Sequence, residues 1–373
     1  MPNNKIILRQ VKLPEYEPLE KWFKEIDRNK IYSNRGPILC HFEKLLSEKI
    51  SIPEKKITVL ANGFSALMLA LQAKIKNKEK RRYCIVPSFT FPGTISSVIA
   101  AGLEPYFIDI DEKTNSLCVD KLFENFNGNF TEVSAVVPVS TFGVLPEIKK
   151  WKSFEKEHNI PVVYDLAWSF DNLPPNAEYD AMVSMHATKV FGIGEGGFVI
   201  SESDDTKKVI NSYANFGMND RKITEHIGIN AKLSEFQAAI GIVALEQWDD
   251  NRKKIVKIQE EFIKRASELS VLSLLHGLST DWSWMSAVLV GPAAAINCLE
   301  KNFNANNVES RRWWKNLCHL SPAYKYFKKG NLHNSENLAI QHINIPFHQF
   351  LTESDIEKIF DICHKAEKDF LRE

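Results

Sequence analysis

The chain has 373 residues, 44% of them hydrophobic, with 47 basic residues balanced by 47 acidic ones. That length allows two domains with a large buried core, and the even charge gives no global field for nucleic acid or a membrane surface, so DNA and RNA binding are disfavoured. Six cysteines lack metal-ligand spacing, and no signal peptide or long apolar span is visible, which predicts reduced thiols and a cytoplasmic protein with no metal site and no membrane partner.

Leu19 to Ile26 reads as a short helix in an N-terminal arm. Tyr32-Ser33-Asn34-Arg35-Gly36-Pro37 makes a turn, and Leu39, Phe42, Leu45 and Leu46 set a helical period over Ile38 to Lys49. Arg35 in that turn reads either as a phosphate contact or as part of a solvated loop. Ile57 to Leu60 is a predicted strand that passes through Ala61-Asn62-Gly63-Phe64-Ser65 into a predicted helix, Ala66 to Lys74. A strand turning into a helix leaves unpaired N–H groups and the positive end of the helix dipole at one point, a ready phosphate site. Ser65 acting as a helix cap accounts for the same residues.

Further predicted strands are Tyr83 to Val86, Pro105 to Ile110, Val133 to Val139 and Pro161 to Asp165, with a helix from Ile95 to Ala101. Strands that are nearly all apolar and alternate with helices predict a parallel sheet covered on both faces. Ligands in such sheets lie beyond the carboxyl ends of the strands, where Phe89, Phe91, Asp165 and the loop near Ser140 fall. Phe91 reads as a stacking surface for a flat ring or as core, and Asp165 as a site carboxylate or a strand-end cap.

Ala181-Met182-Val183 and Phe198-Val199-Ile200 predict two short buried strands. Between them stand Ser184, Lys189 and the glycine-rich run Gly192-Ile193-Gly194-Glu195-Gly196-Gly197. The order Thr188-Lys189-Val190, with glycines after the lysine, departs from the Gly-Lys-Ser/Thr of nucleotide triphosphate loops. A desolvated lysine amine loses its proton readily and can form a Schiff base with an aldehyde cofactor; a solvated lysine beside a hairpin turn is the plainer reading. Leu233 to Leu269 predicts one long helix spanning two domains. Strand (Trp284 to Val290), helix (Ala293 to Phe303), an aromatic loop and a final helix from Ser354 predict a smaller α+β cap. In the aromatic loop, Arg311 or Arg312 reads as a diphosphate contact or a solvated rim.

Gly63-Phe64-Ser65, Asp165, the stretch Ser184 to Gly197 and Gly228-Ile229-Asn230-Ala231-Lys232-Leu233-Ser234-Glu235-Phe236-Gln237-Ala238-Ala239 occur in one order. This constellation resembles the DegT/DnrJ/StrS family of pyridoxal-phosphate sugar aminotransferases, closely from Gly36 to Arg252 and more loosely beyond. The resemblance implies an α/β, fold-type-I transferase: a large domain (1–250) with a mostly parallel seven-stranded sheet and an N-terminal arm, and a small C-terminal α+β domain (251–373).

The resemblance also implies roles. Lys189 holds the pyridoxal 5'-phosphate aldehyde and later shuttles a proton; Asp165 pairs with the ring nitrogen. Gly63, Phe64, Ser65 and Ser184 hold the phosphate, Phe91 lies on the ring face, and Asn230 reaches the phosphate of a neighbouring subunit in a homodimer. The implied reaction moves an amino group from glutamate to a nucleotide-linked keto-deoxysugar for surface polysaccharide or amino-sugar synthesis. Phe64 stands where the family has threonine, Trp168 where it has Gln, His or Glu, and Ser140 where histidine is frequent. Two other readings accompany this one. The first is a sugar dehydratase on the same scaffold, whose members carry histidine at the position of Lys189. The second is a non-catalytic cofactor- or sugar-binding regulatory protein, to which Phe64 and Trp168 point.

Overall fold

A computed structural model describes residues 5–75, 81–174 and 178–372. Helices α1 (Tyr16–Asn29) and α2 (Pro37–Ile50) lead to strand β1 (Ile57–Leu60) and helix α3 (Gly63–Lys74). Next come β2 (Tyr83–Pro87), α4 (Pro92–Ala100), β3 (Glu104–Ile108), α5 (Val119–Asn125), β4 (Val133–Val136), α6 (Ile148–His158) and β5 (Val163–Asp165). Strands β6 (Asp180–Ser184) and β7 (Gly197–Ile200) flank the lysine loop, and α7 (Asp204–Tyr213), α8 (Glu235–Glu246) and α9 (Trp248–Ala266) follow.

These strands form one sheet in the order β1-β7-β6-β5-β4-β2-β3, the two halves joined by parallel bridges Val136 to Val162 and Val139 to Asp165. Strand β7 alone runs antiparallel to its neighbours β1 and β6; the pairings β5–β6, β2–β3 and β2–β4 are parallel. The expected mostly parallel seven-stranded sheet is therefore present.

Strand period sorts the side chains between two faces. Ala181, Val183, Phe198 and Ile200 enter a core with residues of α2 and α8, whereas Met182 and Val199 enter one with α3. Helix α3 is apolar all round, with Leu67, Met68, Leu69, Ala70 and Leu71 buried, as a helix enclosed by protein requires. Met182 and Ser184 share a face, so Ser184 points toward the start of α3.

A second core is built on a three-stranded sheet of β8 (Ser273–Leu274), β9 (Ala287–Val290) and β10 (His342–Ile345), in the order β10-β9-β8. It is covered by α10 (Ala293–Ala305) and α12 (Glu353–Arg372), with α11 (His333–Gln341) beside them. The single long helix expected over 233–269 is two helices. The chain starts again at Trp248, whose indole lies edge-on to Phe170 at 5.0 Å and to Phe191 at 5.9 Å, so a buried tryptophan fixes the new start. Helix α9 begins in the first core with Trp248 and ends in the second with Phe262 and Ala266. The first described residues also join the second core: Ile6 bridges Val308, and the Leu8 N–H donates to Glu309 Oε2 at 3.0 Å.

Candidate active site

The carboxyl ends of β2, β5 and β6 and the start of α3 open on one cavity of about 920 Å³. Gly63, Phe64, Phe91, Asp165, Ser184 and Lys189 all line it. The structure thus brings together six of the eight residues singled out from the sequence. Ser65 and Asn230 are not on its wall.

Ser65 is absent for a local reason. Asn62 caps α3 by accepting the Ser65 N–H at 2.8 Å, and the Ser65 hydroxyl donates to the Asn62 carbonyl at 3.0 Å. The cap is therefore Asn62, and both polar groups of Ser65 are spent inside the turn. Gly63 and Phe64 occupy the first helical turn, where N–H groups have no intrahelical acceptor. Ser184 accepts the His186 N–H at 3.3 Å, and its own hydroxyl proton meets no acceptor among the described residues. Asn230 is exposed on the loop that pairs Asn215 with Asn230.

The glycine run acts through backbone geometry. Gly194 takes φ +101°, a left-handed turn that a side chain would strain. A methyl at Gly197 would lie 2.7 Å from the Gly63 nitrogen and from the Asn62 carbonyl carbon, so β7 presses directly against the start of α3. The second half of the sequence signature secures this loop. Gln237 Nε2 donates to the Glu195 carbonyl at 2.9 Å, and Ser234 caps α8 by accepting the Gln237 N–H at 3.2 Å. Buried Glu235 caps α2, accepting N–H groups of Ile38 at 2.8 Å and Leu39 at 3.2 Å.

The lysine and the carboxylate have unusual electrostatics. Burial pushes the Lys189 ammonium down to about 7; nearby Asp165 opposes this and the Arg9 guanidinium adds to it. Lys189 Nζ lies 4.9 Å from the Trp168 ring centroid, so an indole face supports whatever charge it keeps. Asp165 is 5% exposed, and burial raises its carboxyl above the usual range. The Thr94 hydroxyl donates to Asp165 Oδ2 at 2.7 Å and the Ala167 N–H to Oδ1 at 3.1 Å, both favouring the charged form. Thr90 lies 2.9 Å behind Thr94, oxygen to oxygen.

Thr94, Arg9 and Asn62 are not among the residues the sequence singles out, yet all three act at the site. Thr94 sits one turn into α4, on the strand-to-helix connection that also carries Phe91, and that placement was its available signal. Arg9 had none, because an arm contact 180 residues from its target leaves no local pattern. Of the arginine pair, Arg311 lines the cavity. Arg312 is buried and faces elsewhere, donating to Asn297 Oδ1 at 2.6 Å and Glu300 Oε2 at 2.7 Å. Arg35 is engaged internally, its guanidinium 2.5 Å from the carboxylate of buried Glu43. Trp168 is buried edge-on to Phe142 at 5.5 Å and to Trp313 at 5.4 Å, and Ser140 bonds Ser169.

Among the described residues no three His, Cys, Asp or Glu side chains are grouped to hold a metal, and no helix is long and apolar enough to cross a membrane. The chain is 27% identical to the Mycobacterium tuberculosis protein Rv3402c over 92% of its own length and 86% of that protein's. It is 32% identical to a dTDP-4-amino-4,6-dideoxy-D-glucose transaminase of Shigella dysenteriae over 65% of each chain. A solved structure from Bacillus cereus, described as a candidate PLP-dependent aminotransferase, superposes with a TM-score of 0.88 at 28% identity, covering 96% of this chain and 100% of that one. A family model matches residues 16–364, and the chain belongs to the DegT/DnrJ/EryC1/StrS aminotransferase family.

Proposed function

We propose that the protein is a pyridoxal-phosphate-dependent aminotransferase that moves an amino group from glutamate to a nucleotide-linked keto-deoxysugar, serving surface polysaccharide or amino-sugar synthesis. The observation that carries this reading is the single cavity joining a lysine amine held near neutrality to a buried, hydrogen-bonded carboxylate. Relatives named as a dTDP-amino-sugar transaminase and a GDP-perosamine synthase support the substrate class.

The residues present fit the cofactor. The uncommitted Ser184 hydroxyl and the first-turn N–H groups of Gly63 and Phe64 suit a phosphate. Phe91, 64% exposed on the cavity wall, offers a face to a flat ring, and Asp165 suits a protonated ring nitrogen. When bound, pyridoxal phosphate supplies an electron sink for the carbanion left when a proton leaves the amino-bearing carbon. Lys189, with its depressed proton affinity, takes that proton at Nζ and returns it, as a general base and acid poised near the working pH. Asp165 keeps the ring nitrogen protonated, and Thr94 holds the carboxylate oriented. Trp168 presents its ring to the lysine amine.

The same reading makes the working unit a cytoplasmic homodimer in which exposed Asn230 reaches the partner's phosphate site, and it divides each chain near residue 250. Lys189→Ala is the direct test. Purified variant and parent are compared for the visible absorbance that added pyridoxal phosphate develops and for transfer of an amino group from glutamate to keto sugars. Loss of both in the variant is expected. Retained transfer in the variant would remove Lys189 from the mechanism.

A further inference from the structure

Two guanidinium groups share one indole at the edge of the cavity. Arg9 Cζ lies 5.6 Å and Arg311 Cζ 6.0 Å from the Trp313 ring centroid, and all three residues line the cavity. Trp313 is edge-on to Trp168, which bears the Lys189 amine. The cations and the Lys189 amine therefore line one cavity and are linked along it by the two indoles.

Neither guanidinium has a carboxylate within ion-pair distance among the described residues. The polar contact of the Arg9 side chain is a long bond to the Met285 carbonyl at 3.3 Å. Glu309, an acidic side chain on the wall that feels the Arg311 charge without pairing with it, is occupied by the Lys5 ammonium at 2.5 Å and by the Leu8 N–H at 3.0 Å. Burial pushes Arg9 down to about 10, so its charge is held at a cost that an anion would offset. Arginine's planar fork is matched to carboxylate and phosphate oxygens.

We propose that Arg9 and Arg311, spaced by Trp313, form an oxyanion subsite that holds a carboxylate or phosphate group of the substrate while its reacting carbon is at Lys189. The proposal rests on the aminotransferase reading and deepens it. Two substrates of that reaction carry such oxygens, the dicarboxylate donor and the diphosphate of the sugar carrier. The geometry assigns the chemistry, and the arms of the test assign the source. Arg9 also depresses Lys189 through charge, so an anion seated on Arg9 raises the lysine's affinity for protons and favours the protonated amine that donates in the second half of the exchange.

The test is calorimetric titration of the full chain loaded with pyridoxal phosphate. The probes are 2-oxoglutarate, dTDP, UDP and GDP, and inorganic phosphate, against the parent, Arg9→Gln, Arg9→Lys and Arg311→Gln. Removing a charge-assisted contact weakens binding by about ten- to a hundredfold. Arg9→Gln and Arg311→Gln are expected to show such a loss for at least one probe class, and Arg9→Lys a smaller one. A loss confined to 2-oxoglutarate assigns the subsite to the donor, one confined to the nucleotides to the carrier, and a loss in both to a shared site. Unchanged affinities for every probe in folded Arg9→Gln and Arg311→Gln overturn the proposal. The same titrations on cofactor-free protein separate the two failures. A chain that does not take up pyridoxal phosphate contradicts the function assigned above, yet its anion binding still decides the subsite.

Discussion

Thr94 donates a 2.7 Å hydrogen bond to Asp165, the carboxylate at the end of β5, from the first turns of α4. The bond ties the strand-to-helix connection after β2 to the end of β5, across the intervening β4. It also supplies one of the two donors that oppose the effect of burial on Asp165.

Replacing Thr94 by Val removes that donor from a buried acceptor while keeping the shape of the side chain. A loss of about 1–3 kcal/mol is expected, read by urea unfolding. Because burial already raises the Asp165 pKa, the folded cofactor-free protein holds its proton more tightly than the unfolded chain. Stability therefore falls as pH rises from the ordinary carboxylate range through the folded value. Thr94→Val raises that value further and extends the fall to higher pH.

Lys189 has the opposite sign. Its pKa drops from an ordinary 10.5 to about 7 on folding, so between these values the unfolded chain binds the extra proton. Stability of the cofactor-free protein should rise with pH across that window. Lys189→Met abolishes this rise and makes the protein more stable than the parent at pH 6. Unfolding curves at pH 6 and pH 9 decide it.

Gly197→Ala places a methyl 2.7 Å from backbone atoms of Asn62 and Gly63, where no flexible side chain can yield. The start of α3 must move, with an overpacking cost of about 1–3 kcal/mol. A structural defect alone would change stability only. Displacement of the phosphate donors should also weaken pyridoxal phosphate more than pyridoxal, measured by equilibrium binding of each.

Arg35→Met leaves the Glu43 carboxylate, whose side chain is 2% exposed, without its cation. Its other partner is the Val59 N–H at 2.9 Å. Breaking a buried pair costs about 3–5 kcal/mol, and with Arg35 itself partly exposed the lower end is expected. Double substitution with Glu43→Gln should recover part of the loss in a denaturant titration.

The sheet was legible because its strands are short apolar runs separated by turns, and Ile57–Leu60 begins and ends where sequence reading placed it. Lys189, Asp165, Ser184, Gly63, Phe64 and Phe91 were legible because they cluster at strand and helix ends, where ligand sites of such sheets form. Helix starts were less so: α3 begins at Gly63 and not Ala66, because Asn62 caps it. The break at Gln247 is marked in the sequence only by Asp249 and Asp250, which fall in the first turn of α9, and its cause, burial of Trp248 against Phe170 and Phe191, is tertiary. Glycines first read for a ligand proved necessary for the contact of backbone with backbone at Gly197. Arg9 could be recognised only once Ile6 and Leu8 were seen paired with residues near 308, since nothing local marks that pairing.

That pairing has an electrostatic consequence. Residues 5–8 are fastened to the C-terminal core, whereas α1, through Trp22, Phe23 and Ile26, belongs to the core around the sheet. The stretch between Leu8 and Tyr16, a few residues each spanning at most about 3.6 Å, joins the two cores, and Arg9 on it donates to the Met285 carbonyl. The charge of Arg9, a residue placed beside the C-terminal core, thus reaches an amine held by the sheet, as the least of the three causes that set the lysine's basicity.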